Sequence, residues 1–326
     1  MKSDLFIRAD GSSEMGLGHL VRCTSLSIIL KDQFRITFVC KKIPQQIEAE
    51  LKQRGLSIVK IDQEEEFFDR LTSEDTVVLD GYFFDTAYQK KIKELGSSLV
   101  FIDDLHDREF YADLIINHAP GISKEDYSAQ PYTRYALGLD YVLLRPPFLE
   151  AARSAKEKNR NLLNTILICF GGSDIKNLTI RAAKVALDFN QFKKIIIITG
   201  SAYKYQNELL QVIQHEEKIV HYHALSGKKM ATVFQESDVA IVPSSGILFE
   251  ALATGNITIS GTYIDNQQKM YSGFKELNAI VDAGEFSAQE IRNAMQQIEP
   301  NKKPKSYIDG KSPERIRSLF KSLKKD

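Results

Sequence analysis

The feature that most constrains the fold is a regular alternation of short apolar runs with longer segments of helical character. In the first half, the runs predicted to be strands lie at 5–9, 34–40, 56–61, 76–80, 98–104 and 113–117. In the second half, they lie at 164–170, 193–200, 218–224, 238–244 and 256–262. Strands that are buried on both faces of a parallel sheet are apolar throughout in this way. The sequence therefore predicts an α/β protein built from βαβ units.

The alternation is interrupted once, and this interruption predicts two domains. The chain has 326 residues, which suits two domains of roughly 150 residues each. Pro146 and Pro147 begin a charged, polar stretch, so we expect one Rossmann-like domain at 1–145, a linker at 146–163 and a second such domain at 164–310. The tail at 311–326 is predicted to form a terminal amphipathic helix.

The apolar residues of this tail recur at helical spacing, which favours a docked helix over a basic tail that binds nucleic acid. They are Ile316, Leu319, Phe320 and Leu323. The whole chain has 43 basic and 43 acidic residues, so no global field attracts nucleic acid or an anionic membrane. We accordingly expect neither nucleic acid nor a membrane as a partner.

Cysteine usage and the N-terminal residues predict a cytoplasmic protein. Cys23, Cys40 and Cys169 lack CxxC spacing, which is typical of reduced, buried thiols. The first ten residues carry charges where a signal peptide has an apolar run. No stretch of about 18 apolar residues occurs, so no transmembrane helix is expected.

The first candidate site follows the first strand. A loop with Asp10, Gly16 and Gly18 leads to His19, which opens a predicted helix. Glycines allow the backbone to approach a ligand, and the N–H groups of a helix start favour an anion. A histidine at this point can exchange a proton near neutral pH, although it could equally cap the helix. The spacing differs from the GxGxxG pattern of dinucleotide-binding proteins.

The same design, a strand followed by a glycine turn and a helix, recurs in the second half. Gly171, Gly172 and Ser173 are predicted to form a phosphate-binding turn, although a plain turn with a helix cap would have the same sequence. Ser245 and Gly246 begin a later helix that holds Glu250, a carboxylate that could accept hydrogen bonds from a ribose. The alternative is a helix with serine caps and a solvated glutamate.

Three further motifs narrow the function. Asn266 lies in a polar cluster after the last predicted strand and could contact a sugar, or simply belong to a turn. His221 and His223 share one face of a predicted strand, but no third metal ligand lies at a suitable spacing, so no metal site is predicted. The chain has no DxD, GxSxG or P-loop motif, so the sequence does not support a transferase that clamps the diphosphate with a metal.

Several motifs together resemble one enzyme family. They are IRADGSSEMGLGHLVRC, VVLDGYFFD, FIDDL, ADLIIN, LGLDYVLLRPPF, CFGGSDIKNLT and IDNQ. They resemble the hydrolases of pseudaminic acid biosynthesis that act on UDP-2,4-diacetamido-2,4,6-trideoxy-β-L-altropyranose, within the MurG-like GT-B superfamily. The resemblance extends over nearly the whole chain and implies two Rossmann-like domains with parallel sheets that face each other across a cleft.

The resemblance also implies roles for individual residues. His19 matches the catalytic histidine, which would activate a water that attacks the anomeric carbon and releases UDP with inversion. The diphosphate would lie near Ser245 and Gly246, and Glu250 would hold the ribose. Asn266 matches a position near the sugar, and Tyr82 in the DGY motif would be a neighbour of the sugar. The resemblance implies no cofactor and no metal.

Three alternatives have the same fold class. A GT-B glycosyltransferase would pass the sugar to an acceptor, although the N-terminal half has no evident basic-aromatic patch for a lipid. An epimerase would need carboxylates and histidines around the sugar. A protein that only binds nucleotide sugars would need no base at His19. Relatives of spore-coat polysaccharide synthesis share the motifs, so a different UDP-deoxy-amino sugar is a further alternative.

Overall fold

The computed structural model describes residues 2–12, 15–154, 163–299 and 305–323. Its strands are β1 (Ser3–Ala9), β2 (Phe34–Cys40), β3 (Ser57–Lys60), β4 (Thr76–Asp80), β5 (Ser98–Ile102), β6 (Glu109–Phe110), β7 (Leu114–Asn117), β8 (Ser128–Ala129), β9 (Arg134–Leu137), β10 (Thr165–Ile168), β11 (Lys194–Thr199), β12 (Ile219–His223), β13 (Val239–Pro243), β14 (Ile257–Gly261) and β15 (Val281–Asp282). Its α-helices are α1 (Gly18–Leu30), α2 (Gln45–Gln53), α3 (Glu65–Phe68), α4 (Thr86–Glu94), α5 (Pro146–Arg153), α6 (Leu178–Leu187), α7 (Gln206–Ile213), α8 (Gly227–Glu236), α9 (Gly246–Ala253), α10 (Gln268–Glu276), α11 (Ala288–Gln296) and α12 (Ser312–Lys321).

The chain divides into two compact units, and the first comprises 1–145 together with 311–326. Its main sheet is parallel, with the strand order β3-β2-β1-β4-β5-β7-β9. Neighbouring residues of β4 belong to different cores, because Val78 packs on one face of the sheet and Val77 and Leu79 pack on the other. Burial on both faces explains why the strand is apolar throughout.

The second unit comprises 146–310 and has a parallel sheet of six strands. The strand order is β12-β11-β10-β13-β14-β15, which is the 3-2-1-4-5-6 order of the Rossmann fold when the strands are numbered from β10. The α/β class with parallel sheets, predicted from the apolar runs, is confirmed. The edge strands β9 and β15 were not predicted, since the former is only half-buried and the latter has two residues.

Part of the expected linker is a helix. Pro146 is the first residue of α5, a position where a missing N–H and a fixed φ are favourable. Phe148 and Leu149 are buried, and the Phe148 ring lies 5.8 Å from that of Phe234 in the same unit. The Pro-Pro pair therefore begins a helix of the second unit over 146–153, and 155–162 lie outside the described residues.

The terminal helix α12, at the position where the sequence predicts a docked helix, packs on the first unit. Ile316 and Phe320 are fully buried in one core of this unit, and Phe34 meets Phe320 edge to face at 6.1 Å. Leu319 and Leu323 join the same core. An apolar face of this kind is stabilised mainly by burial against the sheet.

The three cysteines and several polar residues are buried. All three cysteines are buried, as predicted. Asn256, at the start of β14, is buried because its amide donates to the carbonyls of Phe234 and Ser237 at 3.0 and 2.7 Å. Within the described residues, no helix combines the length and the apolar character needed to cross a membrane.

Candidate active site

Each main sheet reverses its strand order at one point. In the first unit this point lies between β1 and β4, and in the second between β10 and β13. Ligands of open α/β sheets bind outside the carboxyl ends of the strands at such a switch point. The loops that follow these four strands carry most of the site residues predicted from the sequence.

His19 lies at the switch point of the first unit. It is the second residue of α1, is 8% exposed, and its Nδ1 lies 2.6 Å from Oδ1 of Asp80, the last residue of β4. An ionised carboxylate only accepts hydrogen bonds, so Nδ1 carries the hydrogen and Nε2 is left as the basic nitrogen. A neutral imidazole held in this way presents Nε2 as its hydrogen-bond acceptor.

Asp80 is held as a carboxylate although its side chain is fully buried. Burial alone raises the pKa of Asp80, but Arg22 and His19 outweigh burial and hold that pKa well below its usual range. Arg22 donates to Oδ1 at 2.6 Å and to Oδ2 at 2.7 Å, and the Cys23 thiol donates to Oδ2 at 3.3 Å. These donors also prevent the carboxylate from rotating away from His19.

Arg22 links Asp80 to a second carboxylate. Its Nη1 and Nη2 donate to the two oxygens of Asp104 at 2.7 and 2.9 Å. Burial alone lowers the pKa of Arg22, but Asp104 and Asp80 raise it well above its usual value. Asp104 follows β5, the strand beside β4. The network is therefore built from residues that follow or end three adjacent strands, β1, β4 and β5.

Tyr82, which the family resemblance implies as a neighbour of the sugar, lies beside His19. Its ring meets the imidazole edge to face with 4.9 Å between centroids, and its hydroxyl donates to Oδ2 of Asp104 at 3.3 Å. The side chain is 41% exposed, so part of it is accessible to a ligand beside His19.

In the loop before α1, the backbone conformation favours glycine at position 16 but not at position 18. Gly16 has φ +83° and pairs with Ser12 through its N–H at 2.9 Å. Gly18 is exposed and has no positive φ, and an added Cβ would meet no atom of the described residues within 4 Å outside its own helix and chain neighbours. The fold thus leaves open space at the start of α1, next to His19.

Asp10, which the sequence predicts to bind substrate, connects two loops of the first unit. Its Oδ1 accepts from the backbone N–H groups of Lys41 and Lys42 at 2.6 and 2.8 Å, and its Oδ2 accepts from Arg8 at 2.8 Å. The carboxylate is 5% exposed, so it ties the loop after β1 to the loop after β2. Both oxygens already have protein donors.

The turn after β10, which the sequence predicts to bind phosphate, leads to a helix that is capped by a carboxylate. Asp174 accepts from the N–H groups of Leu178 and Thr179, both at 2.8 Å, at the start of α6. The chain's own carboxylate thus caps the first N–H groups of α6. Gly171, with φ +80°, Gly172 and Ser173 form the turn itself, in which Gly172 is exposed.

The start of α9 lacks such a cap. Ser245 is the N-cap residue, and its side chain makes no capping hydrogen bond. Gly246 is exposed, and an added Cβ would meet no atom of the described residues within 4 Å under the same exclusions. Ser244 anchors the loop by a 3.0 Å hydroxyl contact with Ser260 on the neighbouring strand. Glu250 lies one turn further along and is 5% exposed.

Asn266 lies in a short 3-10 helix at 265–267, after β14, and is exposed. The loop after β14 adjoins the loop that begins α9, because Ser244 donates its N–H to Gly261 at 2.9 Å. The structure therefore places Asn266, Ser245 and Gly246 in loops at the same edge of the second sheet.

The two histidines of β12 bond to a hydroxyl. Oγ1 of Thr199, the last residue of β11, lies 2.9 Å from Nε2 of His221 and 3.0 Å from Nδ1 of His223. Among the residues described, no group of three or more His, Cys, Asp and Glu side chains is arranged to hold a metal.

The chain was compared with protein-family models, with curated proteins and with solved structures. No protein-family model matches the chain. It is 27% identical over 262 residues to an uncharacterised protein of Methanocaldococcus jannaschii, a match that covers 76% of this chain and only 53%, about half, of that relative. It is 28% identical to the spore coat polysaccharide biosynthesis protein SpsG of Bacillus subtilis, over 85% of this chain and 83% of that one.

A third relative is the UDP-2,4-diacetamido-2,4,6-trideoxy-β-L-altropyranose hydrolase of Campylobacter jejuni. It is 25% identical over 81% of this chain and 93% of its own length. The resemblance stated from the motifs is thereby confirmed as sequence similarity.

Two solved structures are similar in fold. MurG of Acinetobacter baumannii superposes with a TM-score of 0.60 and 14% identity, over 98% of this chain and 99% of that one. S. aureus MnaA in a co-structure with UDP gives a TM-score of 0.62 and 12% identity, over 99% and 96%. The chain has the GT-B fold.

Sequence reasoning did not assign roles to three residues of the candidate site, namely Arg22, Asp80 and Asp104. Asp80 and Asp104 each follow an apolar run, in VVLD and FIDD, and a carboxylate at the carboxyl end of a buried parallel strand is a usable signal. Arg22 had a weaker signal, because only its helical spacing of three residues from His19 places it on the same side of α1.

Proposed function

We propose that this chain is a UDP-sugar hydrolase with His19 as the general base. The observation that carries the proposal is the 2.6 Å contact between His19 and Asp80 at a switch point of the sheet. The similarity to the Campylobacter jejuni hydrolase supports a UDP-deoxy-amino sugar as substrate, and UDP-2,4-diacetamido-2,4,6-trideoxy-β-L-altropyranose is the first choice.

In the proposed reaction, Nε2 of His19 removes a proton from a water molecule as the water oxygen attacks the anomeric carbon. The bond between that carbon and the β-phosphate oxygen breaks, and UDP leaves with the bonding electron pair. The imidazolium passes its proton to solvent, so the products are UDP, the free sugar and one proton. Attack opposite to the leaving group inverts the anomeric centre. General-base assistance of this kind contributes about 10²–10⁴-fold.

UDP is proposed to bind at the start of α9. The side chain of Ser245 leaves the first N–H groups of this helix uncapped, and a helix N-terminus favours an anion by charge and by hydrogen bonding. The same N–H groups would stabilise the charge that develops on the departing diphosphate, so the proposal requires no metal ion. Gly246 allows the diphosphate to approach the backbone closely.

The remaining contacts follow from the family resemblance. We propose that Glu250 accepts hydrogen bonds from the ribose and that Asn266 and Tyr82 contact the sugar. The exposed side of the turn formed by Gly171, Gly172 and Ser173, together with Gly16 and Gly18, completes the proposed set of contacts. Asp10 is left out of it, because its oxygens are occupied.

The experiment that tests the proposal is UDP release from UDP-2,4-diacetamido-2,4,6-trideoxy-β-L-altropyranose in ¹⁸O-labelled water, without an acceptor and with EDTA. We expect the label in the sugar, inversion in the first NMR spectra, and a loss of about 100-fold or more in His19→Ala. Arg35→Gln, at an exposed ion pair with Asp4, is the matched control and retains the rate. Release only after an acceptor is added would instead identify a glycosyltransferase.

A further inference from the structure

Arg22 and Asp104 form, with Asp80, a chain of charges that ends at His19. The guanidinium contacts both carboxylates through four hydrogen bonds of 2.6–2.9 Å, and its Nη2 lies 3.2 Å from Nδ1 of His19. Arg22 is therefore close enough to act on the imidazole directly as well as through Asp80. A cation at this distance disfavours a second positive charge on the imidazole.

The groups that surround His19 and the charges bound to it lie on α1 and at the carboxyl ends of β4, β5 and β7. They are Arg22 and Cys23 on α1, Asp80 on β4, Tyr82 after β4, Asp104 after β5 and, around the same network, His118 after β7. Three of them carry full charges, which give a net charge of −1 around a neutral imidazole. Removal of Arg22 would make the net charge around His19 more negative, whereas removal of Asp104 would make it less negative.

We propose that Arg22 and Asp104 are positioning residues that set the basicity of His19, an inference that rests on the proposed role of His19 as the base. Arg22 holds the Asp80 carboxylate against Nδ1, and its positive charge beside the ring opposes a second positive charge there. Asp104 in turn orients the guanidinium and offsets part of its charge. The network thereby keeps the base from being protonated too readily or too reluctantly.

The proposal predicts opposite shifts for two variants. Arg22→Gln leaves two carboxylates near His19, so the acidic limb of the pH profile of kcat/KM moves up by about one pH unit or more. Asp104→Asn removes a negative charge at nearly constant volume, so the same limb moves down. Arg22→Lys keeps the charge without the fork of N–H donors, so we expect a lower kcat with the limb close to that of the native chain.

These shifts distinguish the proposal from a purely structural role. A packing defect would lower kcat or stability in both variants but would not move the limb in opposite directions. KM for the UDP-sugar and the affinity for UDP are expected to change little, since neither residue belongs to the proposed UDP site. Arg35→Gln serves again as the control.

A second measurement does not depend on turnover. The chain has six histidines, so the ring signals of ¹⁵N-histidine-labelled protein can be assigned to His19 by their loss in His19→Gln. The proposal expects the His19 signals to titrate at higher pH in Arg22→Gln and at lower pH in Asp104→Asn. Unchanged or parallel shifts would overturn the inference, whereas opposite shifts without UDP release would retain it and refute the hydrolase.

Discussion

The substitution Asp80→Asn gives the sharpest test of the site. Asp80 accepts from His19 and Arg22 on one oxygen and from Arg22 and Cys23 on the other. The amide of Asn presents only one acceptor. If its NH₂ faces Nδ1 of His19, the imidazole takes the tautomer with hydrogen on Nε2 and cannot act as the base. If the amide is reversed, its NH₂ opposes the Nε–H of Arg22.

The size of the effect follows from the loss of the charge. A carboxylate and an imidazolium whose charges lie about 4 Å apart attract each other by about 4 kcal/mol at an effective dielectric constant near 20. A neutral amide retains a hydrogen bond of about 1 kcal/mol, so the net loss in the transition state is about 3 kcal/mol. Since 1.36 kcal/mol corresponds to tenfold, kcat falls by about 10²–10³-fold.

The assay compares UDP release by Asp80→Asn and by Asp113→Asn. Asp113 makes a 2.6 Å ion pair with Lys93 elsewhere in the first unit, so its variant controls for the loss of a partly buried carboxylate. We expect each variant to lower the free energy of unfolding by about 1–3 kcal/mol, but only the former to lower kcat. A kcat within threefold of native for Asp80→Asn, in folded protein, would refute the argument that Asp80 fixes the tautomer.

Three further predictions concern binding and stability. Gly246→Ala is expected to weaken UDP binding about tenfold in calorimetry without lowering the melting temperature, because alanine favours the helix but its methyl group intrudes on the proposed diphosphate site. Burial, with Arg22, lowers the pKa of His118 to about 4, so the unfolded chain binds a proton at higher pH than the folded chain does. The free energy of unfolding is therefore expected to fall by about 3 kcal/mol as the pH is lowered from about 6.5 to about 4. Urea titrations should show that His118→Gln flattens this dependence. Phe320→Ala is expected to lower the free energy of unfolding of the first unit by about 3–5 kcal/mol, measured by denaturant titration; no change would mean that α12 does not stabilise that unit.

The sequence alone determined most strands of the two main sheets and their order along the chain. The apolar runs at 34–40 and 76–80 coincide with β2 and β4, because strands buried on both faces carry their signal in every residue. The spacing of Ile316 and Phe320 identified the buried face of α12 for a similar reason. The glycine-containing motifs also identified His19 and the family resemblance, since both depend on residues that are close together in the chain.

The tertiary structure decided which of these residues share a site. Asp80 lies 61 positions after His19, and they meet only because β1 and β4 are neighbours in the sheet, an order that local patterns do not encode. The same holds for hydrogen-bond occupancy. Asp10 and Asp174 have the residue type and position of ligand-binding groups, yet backbone N–H groups from Lys41 and Leu178 occupy their carboxylates. Whether a polar group is available to a ligand depends on the hydrogen-bond partners that folding places beside it. The sequence therefore indicates candidate residues, and the structure shows which of them already have partners.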